Sequence, residues 1–493
     1  AIIALISAYR KPYAEKRDSK PTHTFLPART TLDKGISTVS TSSGEVVPMT
    51  DSRVKILVPS MGRLATESLA AVFRGSGITA IAHPPSDETV LKLGRANTLC
   101  KECLPLILTT GTLLNQVINQ TQTDTVLIYF MPTSSGPCRF GQYRIFMEDL
   151  IQKKEIPNVA LFSLTSENSY AGMGSNFQLK LWWSIVVSDV MEDIRSMILA
   201  NAVDAEAGVK VFEDVWKSIL GALEIGDFSR LETQLEKTAR RIRQIPMKRP
   251  PGTVPAISMV GEIFVRRDAL SRQYLTEQLA EKGFVTRCSP VAEWILYSDY
   301  LVDKKLVDNS MSKKEKLKFI LKKKYMARYQ KRIQSKLAGT GLLDSMPIDI
   351  PSIVDKASPY VSPNLTGEAI LTVGSSLTEI VSHTCGVIAI GPFGCMPNRL
   401  SEAILNEAMT RDGKLATDPG NHRLRSTLTH VDDLPFLAIE SDGSPFPQVI
   451  NAKLEAFCLP ARRLHDRMLV ARNNSRWTSV EIKQVGCLGT DIS

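Results

Sequence analysis

Two stretches of this chain alternate short apolar runs with segments of helical period, and the stretch between them is helical throughout. Val54-Lys55-Ile56-Leu57-Val58-Pro59 has the length and continuity of a buried strand, and Met61-Gly62-Arg63 leads from it into a helix from about Ala65 to Arg74. Ile78 to Ile81 reads as a second strand and Leu104 to Val117 as a second helix. Thr125 to Phe130 follows as a third strand, Gln142 to Ile151 as a helix and Val159 to Leu164 as a fourth strand. This order predicts a parallel sheet covered by helices, with the strand-to-helix loops lining a site.

From Phe177 to Ile245 the period is helical, with Phe212, Val215, Trp216, Ile219 and Leu223 on one stripe. Alternation resumes at Ala256 to Val265, continues through a helix at Ser271 to Lys282 and reaches Phe284 to Thr286. A basic helical stretch interrupts it. It returns with Leu365 to Ile380, Gly386 to Ile390, a helix at Asn398 to Met409 and Leu434 to Glu440, and a last helix spans Gln448 to Met468. The fold class expected is α/β, with two Rossmann-like domains built on parallel sheets, a helical subdomain and a site in the interdomain cleft. The expected boundaries are a linker or extended arm over 1–50, a first Rossmann-like domain over 51–175 and a helical connector over 176–250. The second domain then takes 251–300 and 340–470, the basic insertion 301–339 and a tail 471–493.

At 493 residues the chain exceeds what one core usually supports, which agrees with several domains. No apolar run approaches the ~20 residues of a membrane span, so a protein without membrane contact is expected. Ala1 to Ile6 is apolar, with no initiating Met and no signal pattern, and suggests a piece of a longer polypeptide. The formal charge is +9, and the excess gathers in Lys304 to Lys336. Leu317, Ile320, Leu321, Tyr325 and Tyr329 recur there at helical spacing, which reads as an amphipathic helix with a solvated basic face. Its alternatives are a face that docks an acidic partner domain or the phosphates of a nucleotide-bearing ligand. A nucleic-acid-binding protein would rest on this stretch alone, and nucleic acid is not expected as a partner.

Eight cysteines in so long a chain do not make a disulfide scaffold, and they suit a reducing, cytoplasmic compartment. Three of them sit beside Gly or Pro in turns: Lys101-Glu102-Cys103-Leu104-Pro105, Ser134-Ser135-Gly136-Pro137-Cys138-Arg139 and Gly391-Pro392-Phe393-Gly394-Cys395-Met396-Pro397. Their wide separation excludes a zinc finger, whose ligands come in close pairs. Cys103, Cys138 and Cys395 therefore stand as candidate ligands of a buried metal cluster assembled by the fold. Cys100, in Cys-x-x-Cys with Cys103, and Cys385, ten residues before Cys395, are further candidates. Cys288, Cys458 and Cys487 read as core or surface residues. His83, His383 and His465 are isolated, no His-Glu-x-x-His pair or Walker loop occurs, and Gly172-Met173-Gly174 lacks the setting of a dinucleotide fingerprint. Glu262, Arg266, Asp268, Glu293, Glu440 and Asp442 fall near strand ends, as proton donors, substrate anchors or salt-bridged loop residues.

On these cysteine turns, with Gly261-Glu262-Ile263-Phe264-Val265-Arg266 and Leu434-Pro435-Phe436-Leu437 through Asp442-Gly443, the chain resembles the 2-hydroxyacyl-CoA dehydratase and benzoyl-CoA reductase superfamily. Within it the chain is most similar to the branch of double-cubane cluster proteins and acyl-CoA dehydratase activase-related proteins, over about Arg53 to Met468. The resemblance implies an oxygen-sensitive iron–sulfur cluster on Cys103, Cys138 and Cys395, either 4Fe-4S or the double-cubane 8Fe-9S. It also implies a homodimer and an ATP-hydrolysing 4Fe-4S activator, fused upstream or separate, that supplies low-potential electrons. The function expected is a redox enzyme that reduces or dehydrates a small-molecule substrate, such as an acyl-CoA. The alternative is a non-catalytic electron-relay or scaffold subunit of the same complex.

Overall fold

The computed structural model describes residues 25–33, 36–99, 101–122, 124–134, 138–164, 175–307, 312–343 and 347–485. Within them the expected α/β architecture stands as two four-stranded parallel sheets and a helical part. In the first sheet β4 (Val54–Val58), β5 (Ala80–Ala82), β6 (Val126–Phe130) and β7 (Val159–Phe162) lie in the order β5-β4-β6-β7. In the second, β8 (Ala256–Gly261), β9 (Val285–Cys288), β10 (Gly386–Pro392) and β11 (Phe436–Ser441) lie in the order β11-β10-β8-β9. Counted from its own first strand, each sheet places its second strand on one side and its third and fourth on the other. The two sheets therefore share one topology, and each has its switch point between its first and third strands, where such sheets bind ligands.

Period two explains how the first sheet is covered. Leu57, Leu127, Tyr129 and Leu161 face the helices Leu104–Ile118 and Tyr143–Lys153. Ile56, Val58, Ile128, Phe130 and Phe162 face the helix Arg63–Arg74, whose Phe73 meets Phe130 and Phe162 edge-on. In the second sheet β10 is buried along all seven residues and β11, at the edge, alternates.

The segment expected to be an extended arm is otherwise. β1 (Arg29–Asp33), β2 (Ile36–Ser40) and β3 (Val46–Pro48) form an antiparallel sheet, with Val39 and Val47 in the core of the first domain. Thr30 Oγ1 donates to the carbonyl of Leu161 and ties this sheet to β7. Strands of three to five residues, rich in Thr, Ser and Val, leave no sustained apolar period to read. The expected tail is also corrected in part: the last helix runs from Gln448 to Val485. Ala1 to Ile6, Cys100, Gly172 to Gly174 and Cys487 lie outside the described residues.

The helices Ser175–Asn201, Ala205–Ile225 and Phe228–Ile242 form the expected helical subdomain around Trp182, Trp183, Phe212 and Trp216. The basic helix Lys313–Ala338 packs on it, but not through the expected stripe. Phe319, Met326, Ile333 and Leu337 are buried, and Leu317, Ile320, Leu321 and Tyr325 are exposed; of the expected residues Tyr329 alone packs, against Trp183 and Phe228.

The helices Glu88–Ala96 and Leu104–Ile118 join the two domains, since Val90, Leu91, Leu104 and Leu108 belong to the core of the second. They cross backbone to backbone. A Cβ on Gly94 would stand 2.0 Å from the carbonyl oxygen of Ile107, and one on Gly111 1.9 Å from that of Val90. Gly111→Ala should therefore cost about 1–3 kcal/mol of stability by overpacking, measured by urea unfolding. An unchanged midpoint would show that the crossing tolerates a methyl group.

Candidate functional site

The loops after the two first strands meet, and so do the loops after the two third strands. Gly62 follows β4 at φ +88°, and a Cβ there would stand 3.2 Å from the carbonyl oxygen of Arg267, in the loop after β8. Arg139 follows β6; its guanidinium donates to the carbonyl of Lys101 at 2.6 Å and, across the seam, to that of Gly394 after β10 at 3.4 Å. The two switch points thus face one another.

All three turn cysteines lie at this seam, each as the residue that opens a helix. Cys103 precedes Leu104–Ile118, Cys395 precedes Met396–Ala408, and Cys138 precedes the short 3-10 turn Arg139–Gln142 that runs into Tyr143–Lys153. Each has extended backbone, so its side chain projects ahead of a helix start, where unpaired N–H groups favour negative charge. Cys103 and Cys138 lie within electrostatic reach of each other and of Glu262, and Cys138 and Cys395 within reach of each other, Glu262 and Glu368. Cys103 Sγ stands 2.5 Å from the hydroxyl of Tyr143.

Burial dominates the charge states. It raises the Cys103 thiol, holds Cys138 at about 11 and Cys395 at about 12, and outweighs the hydrogen bonds that lower them, although Cys103 and Cys395 are only half-buried and Cys138 is exposed. Burial likewise raises Glu262 and lifts Glu368 to about 8, against the lowering effect of Arg266. Glu262 accepts from the backbone N–H groups of Phe264 and Val265 at 3.1 and 2.8 Å, and Arg266 Nη1 donates to Glu368 at 2.9 Å. Without a bound cation the thiols and Glu368 are neutral at pH 7.

The donor set suits a sulfur-ligated cluster. Three thiols from distant segments gather around neutralisable carboxyls, beside Asn398, which is buried in the first turn of the helix that Cys395 opens with neither amide atom partnered. A cubane spreads its thiolates over separate irons, so they need not converge on one point. Among the described residues no group of three or more His, Cys, Asp or Glu side chains is placed to hold a single metal ion.

Other candidates fall elsewhere. Cys385 precedes the opposite end of β10, roughly 20 Å of strand from Cys395. Its thiol is buried, donates to the carbonyl of Ala256 and is within reach of Cys458, so it is a core residue of the far end. Cys288 is buried at the end of β9. Glu440 accepts from the N–H of Gly394 and pairs with Arg399, which braces the Cys395 turn, and Asp442 pairs with Arg95 across the domains. Asp268 accepts from both the N–H and the hydroxyl of Ser271. His83 and His465 bond to the carbonyls of Pro84 and Thr253. Tyr143, Glu368, Arg139 and Asn398 belong to the site but were not singled out in the sequence; of these only Arg139 stood inside a motif, in the Cys138 turn.

A cavity of about 310 Å³ is lined by Asp193, Arg287, Glu293, Glu379 and His383, together with apolar residues and Cys288, and by none of the three turn cysteines. Glu293 links it electrostatically to the site, because Glu368 feels Glu293 and both feel Arg266. Compared with protein-family models and with curated proteins, the chain gives no match.

Burial raises both Asp193 and Glu293 to about 7. Unfolded, these groups ionise near pH 4, so between pH 4 and 7 the folded chain holds more protons, and their contribution to stability fades as pH rises through 7. Glu293→Gln should therefore stabilise the protein at pH 8, by on the order of 2 kcal/mol, and have little effect at pH 4. Thermal unfolding at the two pH values checks this; equal shifts at both would mean that Glu293 is ionised in the fold.

Proposed function

We propose that Cys103, Cys138 and Cys395 hold an iron–sulfur cluster in the interdomain cleft and that the chain is a redox enzyme module. The observation that carries this reading is the meeting of three helix-opening cysteines from three distant segments at two facing switch points. The six cysteines among the described residues are all free, in keeping with a reducing cytoplasmic setting. No helix among those residues is long and apolar enough to cross a membrane.

A cluster on three thiolates keeps one iron open to a small substrate and supplies electrons at low potential. The chain's own residues would then act on protons. Burial raises both Glu262 and Glu368, and Glu368, at about 8, would give a proton to a substrate in the cleft, with Arg266 stabilising the carboxylate left behind. Glu293, which lines the cavity and acts electrostatically on Glu368, would restore that proton. Tyr143 would hold the Cys103 sulfur in position by its 2.5 Å contact, and the Asn398 amide would donate toward the cleft. Low-potential electrons would come from an ATP-hydrolysing iron–sulfur activator, fused or separate, in a homodimeric assembly. The substrate class is a small molecule that is reduced or dehydrated, an acyl-CoA among them.

Iron and acid-labile sulfide, measured per chain on protein purified without oxygen, test the assignment. About four irons would mean a single cubane and about eight a double cubane, with an EPR signal after dithionite reduction in either case. Cys138→Ala and Cys395→Ala should each lose most of the iron, whereas Cys385→Ala should keep it. Iron-free wild-type protein, or full retention in both site variants, would overturn the assignment.

A further inference from the structure

The helix Lys313–Ala338 carries eleven Lys and Arg against the single Glu315, an excess larger than the +9 of the whole chain. One face is committed to the protein. Phe319, Met326, Ile333 and Leu337 are buried, Lys322 and Lys323 pair with Asp299 and Asp303, and Arg332 and Lys336 pair with Glu232 and Glu236. A capping box at Ser312 and Glu315 fixes the start.

The opposite face has no ion-pair partner among the described residues, although it is not simply solvated charge. Lys314, Leu317, Leu321, Lys324, Arg328 and Lys331 succeed one another at spacings of three and four, which puts them on one side. Ile320 and Tyr325 flank this row. Leu317, Ile320, Leu321 and Tyr325 are 59%, 43%, 46% and 54% exposed. Lys314, Lys324, Arg328 and Lys331 form no ion pair among the described residues.

We infer that this face docks an acidic protein surface bearing its own apolar patch. The pattern is that of an interface with an apolar centre and a charged rim: two turns of Leu, Ile and Tyr, with cations beyond both ends. Three other occupants fit less well. Phosphates of a nucleic acid would pair with the cations and leave Leu317, Ile320 and Leu321 stripped of water without a complementary group. A membrane-lying helix needs an unbroken apolar face, and here Lys324 and Arg328 stand on the same side as Leu321. A second copy of this helix would set two strongly positive faces against each other. An acidic, partly apolar protein meets both the charge and the burial. The inference is independent of the cluster, since no residue of this face belongs to the cysteine site.

The test is a fluorescence-anisotropy titration of the full chain with a short synthetic helix bearing Glu on its polar positions and Leu at i, i+3, i+4 and i+7. The same helix with Leu replaced by Ser, a duplex DNA and phosphatidylserine–phosphatidylcholine vesicles serve as competitors. The Leu-bearing helix should bind best, and more weakly as salt rises. The pair Leu317→Ser with Leu321→Ser, and the pair Lys324→Glu with Arg328→Glu, should each weaken it about tenfold or more. Their melting temperatures should match the wild type because all four positions are exposed. Absence of binding, equal binding by either variant pair, or tighter binding of the Ser helix, DNA or vesicles would overturn the inference.

Discussion

Three guanidinium groups are buried within seven residues after β8, and the placement of everything around the cleft follows from having to neutralise them. Arg266, Arg267 and Arg272 are each at most 5% exposed. A charge so far from water is tolerated only if paired and hydrogen-bonded. Arg267 reaches Asp189 and Arg272 reaches Glu192, both on the helix Ser175–Asn201, while Arg266 reaches Glu368 at the start of the helix Glu368–Glu379. Asp189 also accepts from the N–H groups of Val291 and Ala292, which start the next helix. One loop thereby fixes the second sheet, the helical subdomain and a carboxyl of the cleft relative to one another. Removing any single partner would strand a buried charge, a loss of roughly 3–5 kcal/mol.

The same loop sets the electrostatics of the cleft. Arg266 is the counter-charge that keeps Glu368 within range of ionisation although the carboxyl is largely withdrawn from water, and Glu262 leans on backbone N–H groups of the same turn. Around them the cysteines stand at helix starts, which favour thiolate, in surroundings whose burial favours thiol. The balance falls to the thiol until a cation arrives. A site of this kind binds metal with release of protons.

Much of this was legible in the chain. Continuous apolar runs at β4, β6, β8 and β10 gave the parallel sheets, and Gly or Pro beside Cys138 and Cys395 marked turns that do fall at strand-to-helix loops, whereas Cys103, expected in such a loop, lies between the helices Glu88–Ala96 and Leu104–Ile118. Other features were hidden for physical reasons. Cys385 shares its chemistry with Cys395, and no sequence signal says that the two occupy opposite ends of one strand. Glu368 and Tyr143 join the site through contacts between segments far apart in the chain, which a local reading cannot see. The helix Lys313–Ala338 has apolar residues on two sides, so periodicity offers two stripes without saying which one packs. The short strands of 29–48 are held by pairing and by Val39 and Val47, not by a long period.

Cys103 and Cys138 belong to the connections of one sheet and Cys395 to those of the other, and between them runs a long contact from Arg139 to Gly394. Anything that grips all three sulfurs is therefore also a rivet through the seam. Such a grip would add to the apolar packing of Val90, Leu91, Leu104 and Leu108 that already joins the two halves, so that resistance to unfolding would report what the cleft contains.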